Sequence, residues 1–522
     1  MLNAKEQSLT NKIARNTSYN MGGRFFNIVT GIIMTPYIMH YVGVERYGIW
    51  AIVGVVTGYF GLFDFGVGMS FVKYIAEFNA KKDYRKLNEI INSGFIFYSV
   101  FAAIIALFAS LYLHSILSFL KIPPHLYDEA VFAFFVGVLI FCASSSISIF
   151  TAIQNGLQRI DIANKLGFMM AVPSITGTVL FLRAGYGLRG LIINNAIVFI
   201  IAAVFNIAIA FKILPQLRVS PFLFSWKTFK QLFGFGTKLQ VTRIVAMIVI
   251  NIEKLFIARF VSIGMVTFYQ LGSSVIDSIK SLVVSFTAVL VPAFSEIDAR
   301  GERKRLVEAY ARGTKYLGLI TIPIFFFVII SAPQIMKVWM GLGYDRSVWV
   351  IRLLGIGWLW AILSGVRAVV VQAIAKPEIE MKVGFLTASV HLPLSLMLII
   401  RFGFLGAALG AAIAILLGSY YAFRQLHREL DIPLGPFLAK TLLKTFIICL
   451  AIGLPSWGLM YIFQDSLLGL SRVSGFAVLA AETLLFFVCY MGLLLYVKPL
   501  DESDGDIFSA KAPFLKYFTG KK

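Results

Sequence analysis

Long apolar runs separated by short polar stretches set the pattern of this chain. The runs fall at 17–39, 47–71, 89–112, 128–153, 165–183, 187–211, 234–258, 266–291, 313–332, 347–374, 383–400, 402–423, 441–463 and 473–497. Each is near the roughly 20 residues that a helix needs to cross a bilayer, so the pattern predicts an all-α polytopic membrane protein of about 14 transmembrane helices. Hairpins around Gly185 and Arg401 are so tight that the helices on either side are nearly continuous in the sequence.

The pattern also repeats. A shift of 219 residues lays Lys81–Glu89 over Arg300–Glu308, Ala76-Glu77 over Ser295-Glu296, and Tyr41-Val42 over Phe260-Val261. Shifts of 216–218 then match Gln154 with Gln372, Lys165 with Lys382, Gly187 with Gly403, and Gly190 with Gly406. Helices 1–6 and 7–12 therefore read as two copies of one six-helix unit, with two C-terminal helices outside the repeat. An even number of spans makes the repeat parallel, and two such halves about a central cavity are a transporter's plan. The expected organisation is a bundle over 1–211, a cytoplasmic linker over 212–233 and a second bundle over 234–424. A connector over 425–440, two extra helices over 441–497 and a cytoplasmic tail over 498–522 complete it.

Composition agrees with that picture. Hydrophobic residues make up 59% and charged residues 14% of 522, against about 25% charged in soluble domains, which argues against a soluble enzyme. A net charge of +21 would suggest nucleic acid on a soluble protein. Here it has a simpler source, because cytoplasmic loops of membrane proteins collect Lys and Arg. With a cytoplasmic N-terminus, the inside segments hold about 31 Lys and Arg and the outside loops about 9. Both termini are therefore expected in the cytoplasm of a cell with this protein in its inner membrane. The basic runs Lys81–Lys86 and Arg303–Arg305 then become cytoplasmic connectors, in reach of anionic headgroups of the phospholipid bilayer. The three cysteines and five histidines show no metal spacing. The first 20 residues are too polar for a cleavable signal, so the first helix should serve as one.

Charges inside membrane helices are costly and normally face protein or water. The internal cations are Arg24, Lys238, Arg243, Lys254, Lys280, Arg352 and Arg367, and the internal acids are Asp64, Glu253, Asp277 and Glu482. Lys238, Lys254 and Arg352 lie near helix ends, where snorkelling explains them as well as function does. Arg24, Arg243, Lys280 and Arg367 are deeper and are the candidate cavity cations. Asn20, Arg24, Asn27 and Gly31 share one helix face, as do Gln240, Arg243, Met247, Asn251 and Lys254. Arg24 and Arg243 also superpose under the 219-residue shift. The alternative is that each Arg satisfies backbone carbonyls between helices. Asp277 and Lys280 are spaced either to pair with each other or to face the cavity. Asp64 is either an ion site or a cap beside Phe65-Gly66-Val67-Gly68, and Glu253 is a further candidate for ion coupling.

Several motif matches lack their context. Gly185–Gly190 fits G-x-G-x-x-G but joins two membrane helices with no preceding strand. Ser70–Lys73 fits S-x-x-K without partner motifs. There is no Walker motif, metal constellation or activated nucleophile, so the reading is not an enzyme, without cofactors, driven by an ion gradient such as H+ or Na+, by the membrane potential or by product removal.

The run Tyr41-Val42-Gly43-Val44-Glu45-Arg46-Tyr47-Gly48-Ile49-Trp50, then Phe63–Gly68 and Lys73–Ala76, resembles the opening of bacterial polysaccharide flippases. These O-antigen (Wzx-type) exporters belong to the multidrug/oligosaccharidyl-lipid/polysaccharide exporter superfamily. The resemblance is strongest over about the first 90 residues. It implies alternating-access export of a polyprenyl-diphosphate-linked oligosaccharide, with glycan polymerase and glycosyltransferases as partners and no nucleic acid. Arg suits bidentate phosphate binding, and an excess of deep cations suits an anion. A multidrug or small-molecule exporter of the same fold is the alternative. A polymerase component ranks lower, because the longest outside loops are only about 15 residues.

Overall fold

The computed structural model describes the backbone of residues 4–61, 67–288, 290–463, 467 and 469–497. Side chains are described over the same range, apart from 4–21, 24, 67, 69, 160, 231, 234–246, 248–250, 282, 284–286 and 288. Every regular element among the described residues is helical. Eleven helical stretches of the described residues are long and apolar enough to cross a membrane. The three remaining apolar runs, 47–71, 234–258 and 266–291, each contain residues whose side chains are not described. The protein is an all-α, multi-pass membrane protein.

Two compact units divide at Thr267. The first holds α1 (Ala4–Val42), α2 (Val44–Phe60), α3 (Val67–Ala80), α4 (Tyr84–Phe119), α5 (Tyr127–Gly156), α6 (Ile160–Arg183), α7 (Gly187–Ile213) and α8 (Trp226–Phe260). The second takes up α9 (Ile263–Ala288), most of which it contains, then α10 (Val291–Ala299), α11 (Arg303–Ile330), α12 (Ala332–Met340) and α13 (Asp345–Leu363). It continues through α14 (Gly365–Ala373), α15 (Pro377–Phe402), α16 (Phe404–Leu430), α17 (Leu434–Leu438), α18 (Lys444–Ile462) and α19 (Arg472–Val497). Helix α8 thus clusters with the first unit, whereas the sequence pattern groups it with the second bundle.

The internal repeat is visible in the turns. Lys82 (φ 56) before α4 and Gly301 (φ 69) before α11 are 219 residues apart, and both adopt the left-handed conformation. The residues that follow them, Asp83 and Glu302, occupy the N-cap position of their helices. Glu77 pairs with Lys81 as Glu296 pairs with Arg300, each one turn apart. The hydrogen bond from Lys81 holds the Glu77 carboxyl below its ordinary value. Gln158 (φ 56) and Ala375 (φ 54) close α5 and α14 at a shift of 217, and Gly187 (φ 51) and Gly403 (φ 59) mark the hairpins at 216. Those hairpins do separate two helices each, α6 from α7 and α15 from α16.

Several helices run beyond the apolar segments. Helix α4 has 36 residues, about 54 Å at the usual rise, against a hydrocarbon core of about 30 Å. Asp83 explains its early start: the carboxylate accepts from the Lys86 backbone N–H at 3.1 Å. Likewise Arg303–Arg305, expected in a connector, forms the first turn of α11, where Arg305 donates to Glu302 at 2.8 Å. The 425–440 connector contracts to a short turn at Asp431 (φ 55) between α16 and α17.

The 212–233 segment is a pinned strap rather than a loose linker. Asn88 of α4 donates to Gln216 O at 2.9 Å and accepts from Arg218 N at 2.7 Å. One turn on, Asn92 donates to Arg218 O at 2.6 Å and accepts from Ser220 N at 2.7 Å. Ser225 then caps α8, accepting from Thr228 N at 3.3 Å. Below the strap, Phe71, Ile75, Leu87, Ile91, Ile149 and Ile153 form a buried core among α3, α4 and α5. At the opposite end of α5, Glu129 accepts from Arg46 Nε and Nη2 at 2.7 and 2.8 Å, which ties the start of α2 to α5.

Candidate functional site

Unit 1 gathers membrane-embedded polar groups on α8 and α2. The Asn251 side chain accepts from Lys254 Nζ at 3.3 Å, as the three-residue spacing allows. Lys254 is only 8% exposed and Glu253 only 1%, so Lys254 does not snorkel to solvent. Opposite them, a Cβ on Gly58 would lie 3.1 Å from Met247 Cε, which shows how closely α2 approaches α8. A carboxylate and an ammonium buried within an apolar helix are candidate functional groups, because insertion penalises both.

Asn27 of α1 is exposed. Asn20, Arg24, Gln240 and Arg243 lie outside the residues whose side chains are described, and Asp64 lies outside the described residues altogether. Their backbones place Asn20 and Arg24 on α1, and Gln240 and Arg243 on α8.

Unit 2 holds two cation sites of different character. Lys280 Nζ donates to Asp277 Oδ1 at 2.7 Å and sits 3.3 Å from the centre of the Trp358 ring. The lysine is mostly covered and the aspartate half exposed, so the ammonium is held between a carboxylate and an aromatic face. Of the two accounts of this spacing, pairing within the helix is the one observed. Arg367 differs. It is 4% exposed, with Nη1 at 2.8 Å from Glu380 Oε1 and Nη2 at 3.2 Å from Oε2. Its fork is committed to joining α14 to α15, so it drops out of the set of open cations. The partner was missed because Glu380 lies before the apolar run at 383, in what reads as a connector.

Other cations serve packing. Arg352 donates to Ile329 O at 3.4 Å, the carbonyl-satisfying role open to any intramembrane Arg. Arg472 donates to Met340 O at 2.9 Å, and Lys337 to Leu467 O, which fastens α12 to the start of α19. Neither contact has a signal in the sequence pattern. Glu482 lines an apolar cavity of about 710 Å3 among α11, α18 and α19.

With this geometry in place, comparison with known proteins is informative. Residues 13–298 match the family model described as polysaccharide biosynthesis protein, more than half of the chain. The chain belongs to that family. A Shigella flexneri protein named "Putative O-antigen transporter" is 23% identical over 412 residues, 78% of this chain and 95% of its own length. An uncharacterized membrane protein of Methanocaldococcus jannaschii is 20% identical over 360 residues, 66% of this chain and 70% of its own. Among solved structures, an inward-facing multidrug resistance MATE family transporter of the MOP superfamily superposes with TM-score 0.66. It is 13% identical, and the match covers 78% of this chain and 94% of that one. The lipid II flippase MurJ, inward closed, gives TM-score 0.64 at 15% identity, covering 91% and 99%. The family member described here thus has the fold of MOP-superfamily transporters.

Proposed function

We propose that the protein is a flippase that moves a polyprenyl-diphosphate-linked oligosaccharide across the cytoplasmic membrane for surface polysaccharide synthesis. The observation that carries this reading is the match to the O-antigen transporter relative along 95% of that protein's length, within a polysaccharide biosynthesis family. The chemistry is consistent with it. A diphosphate cannot cross hydrocarbon unaided, and the described membrane segments supply cations, Lys254 beside the Asn251 amide and Lys280 beside the Asp277 carboxylate. Arg24 and Arg243 belong to the polar faces read from the sequence on α1 and α8 and are assigned to the diphosphate. The drive is an ion gradient, with Asp277 and Glu253 as the described acids able to couple to it. Both termini lie in the cytoplasm, where the glycosyltransferases that build the substrate work, and a glycan polymerase takes the product outside.

The test is deletion and complementation in the native cell. Deletion should deplete the surface polymer and leave lipid-linked oligosaccharide on the cytoplasmic leaflet, both restored by the intact gene. Normal surface polymer with heightened dye sensitivity would instead identify a drug exporter.

A further inference from the structure

Unit 1 has a second polar face that the cation-bearing helices do not use. On α5, Ser144, Ser148, Thr151 and Asn155 are spaced four, three and four, so they share one side of the helix. All four line a cavity of about 410 Å3, closed by Phe71 of α3 and by Phe199 and Asn206 of α7. That volume is at the low end of the range for small-molecule pockets, roughly 300–1,000 Å3.

Two hydroxyls on this face, those of Ser144 and Thr151, behave unlike the other serines of this part of α5. Ser145, Ser146 and Ser148 each donate to a carbonyl three or four residues back, at 2.9, 3.4 and 2.6 Å. That is the usual way for a helix to satisfy a hydroxyl in apolar surroundings. Among the described residues, the side chains of Ser144, Thr151 and Asn155 make no such bond and open onto the cavity. Asn206, by contrast, is fixed, accepting from Gln154 Nε2 at 2.8 Å and donating to Ala202 O at 2.9 Å.

Among the described residues, no ionisable side chain lines this cavity. A charged ligand would find no counter-charge there, and a hydrocarbon chain would leave three polar groups without partners, each at a cost. A sugar ring meets both requirements. Its hydroxyls can pair with hydroxyls and an amide, while its C–H face can rest on Phe199. The position fits as well. Helices α3, α5 and α7 run the same way, and α5 ends at Gly156, next to Asn155, at the same end as the basic Lys81–Lys82 turn.

We propose that this pocket binds an uncharged sugar residue of the glycan headgroup, separately from the cations that meet the diphosphate. The assignment rests on the flippase reading. It is tested with the full-length protein in lipid nanodiscs and two probes: undecaprenyl diphosphate carrying one hexose, and undecaprenyl diphosphate alone. Losing two neutral hydrogen bonds in the double variant Ser144→Ala/Thr151→Val should weaken the hexose-bearing probe about tenfold and leave the sugar-free probe unchanged. Thr151→Ser, which keeps the hydroxyl, should bind both probes as the wild type does. Equal loss of both probes, or no loss of either, overturns the pocket. Wild-type protein that binds the two probes equally well also overturns it, with the flippase reading intact. Wild-type protein that binds neither refutes the flippase reading and the pocket with it.

Discussion

At the scale of single residues, the informative contrast is between cations that are committed and cations that remain available. Arg367 is committed. Removing it strands the Glu380 carboxylate, at roughly 3 kcal/mol, the low end for a buried pair because Glu380 is 35% exposed. Arg367→Ala should therefore lower membrane abundance. The double variant Arg367→Met/Glu380→Met should regain much of it, with surface polymer returning in proportion to abundance. Loss of polymer in well-expressed double variants would instead give Arg367 a substrate role. Arg24 and Arg243 are predicted to behave differently, since they superpose in the repeat and extend polar faces. A hydrogen bond to a charged partner is worth roughly 1.5–3 kcal/mol, so Arg→Ala at either position should weaken substrate binding about ten- to a hundredfold. Arg→Lys should fall between, because it keeps the charge and loses the bidentate fork. Full transport by well-expressed Arg24→Gln and Arg243→Gln proteins would reject the diphosphate role. The sequence marked Lys280, Asn251 and Glu253 as polar groups within apolar runs. It did not reveal what each one touches, because partners such as Trp358 and Glu380 are set by packing between helices rather than by spacing along one.

At the scale of elements, the repeat was legible where it rests on local chemistry. An acid one turn before a basic residue, then a left-handed residue and an acid at the N-cap position, recur in the turns before α4 and α11. What was not legible is tertiary. The strap over 212–233 reads as a polar linker, yet Asn88 and Asn92 of α4 bind its backbone on both the donor and the acceptor side. These two amides sit in a helix whose counterpart in the second copy, α11, has Val307 and Ala311 at the matching positions, so the repeat gave no hint. Asn92→Ala would leave Ser220 N–H and Arg218 C=O without their partners, at about 1–3 kcal/mol each if they stay buried. The expected result is faster proteolysis near Arg218 in membranes, with the rest of the chain resistant. Unchanged cleavage would show that the strap is held without Asn92. The close packing of α16 on α15 is also tertiary: a Cβ on Gly410 would lie 2.6 Å from Ser395 Cα, and one on Gly418 2.2 Å from Thr387 Oγ1. Small residues let membrane helices approach this closely.

At the scale of the whole molecule, the apolar pattern read from the sequence and the structure agree on a multi-pass helical membrane protein, and family membership joins it to polysaccharide biosynthesis. The transporter fold is shared with proteins that move different cargo, so fold alone does not choose among substrates. The choice made here comes from the excess of cations over acids on polar helix faces and from the relative matched along nearly its full length. The most direct measurement is translocation by the purified protein in liposomes, under an imposed ion gradient. The substrate is a fluorescent polyprenyl-diphosphate-linked oligosaccharide, whose outer-leaflet fraction is read by a membrane-impermeant quencher. The account predicts that the protected fraction falls with time only in protein-containing vesicles and only with a gradient, and that Arg24→Ala/Arg243→Ala protein slows this at least tenfold. Protein-containing vesicles that keep the labelled lipid protected while expelling a cationic dye would contradict it.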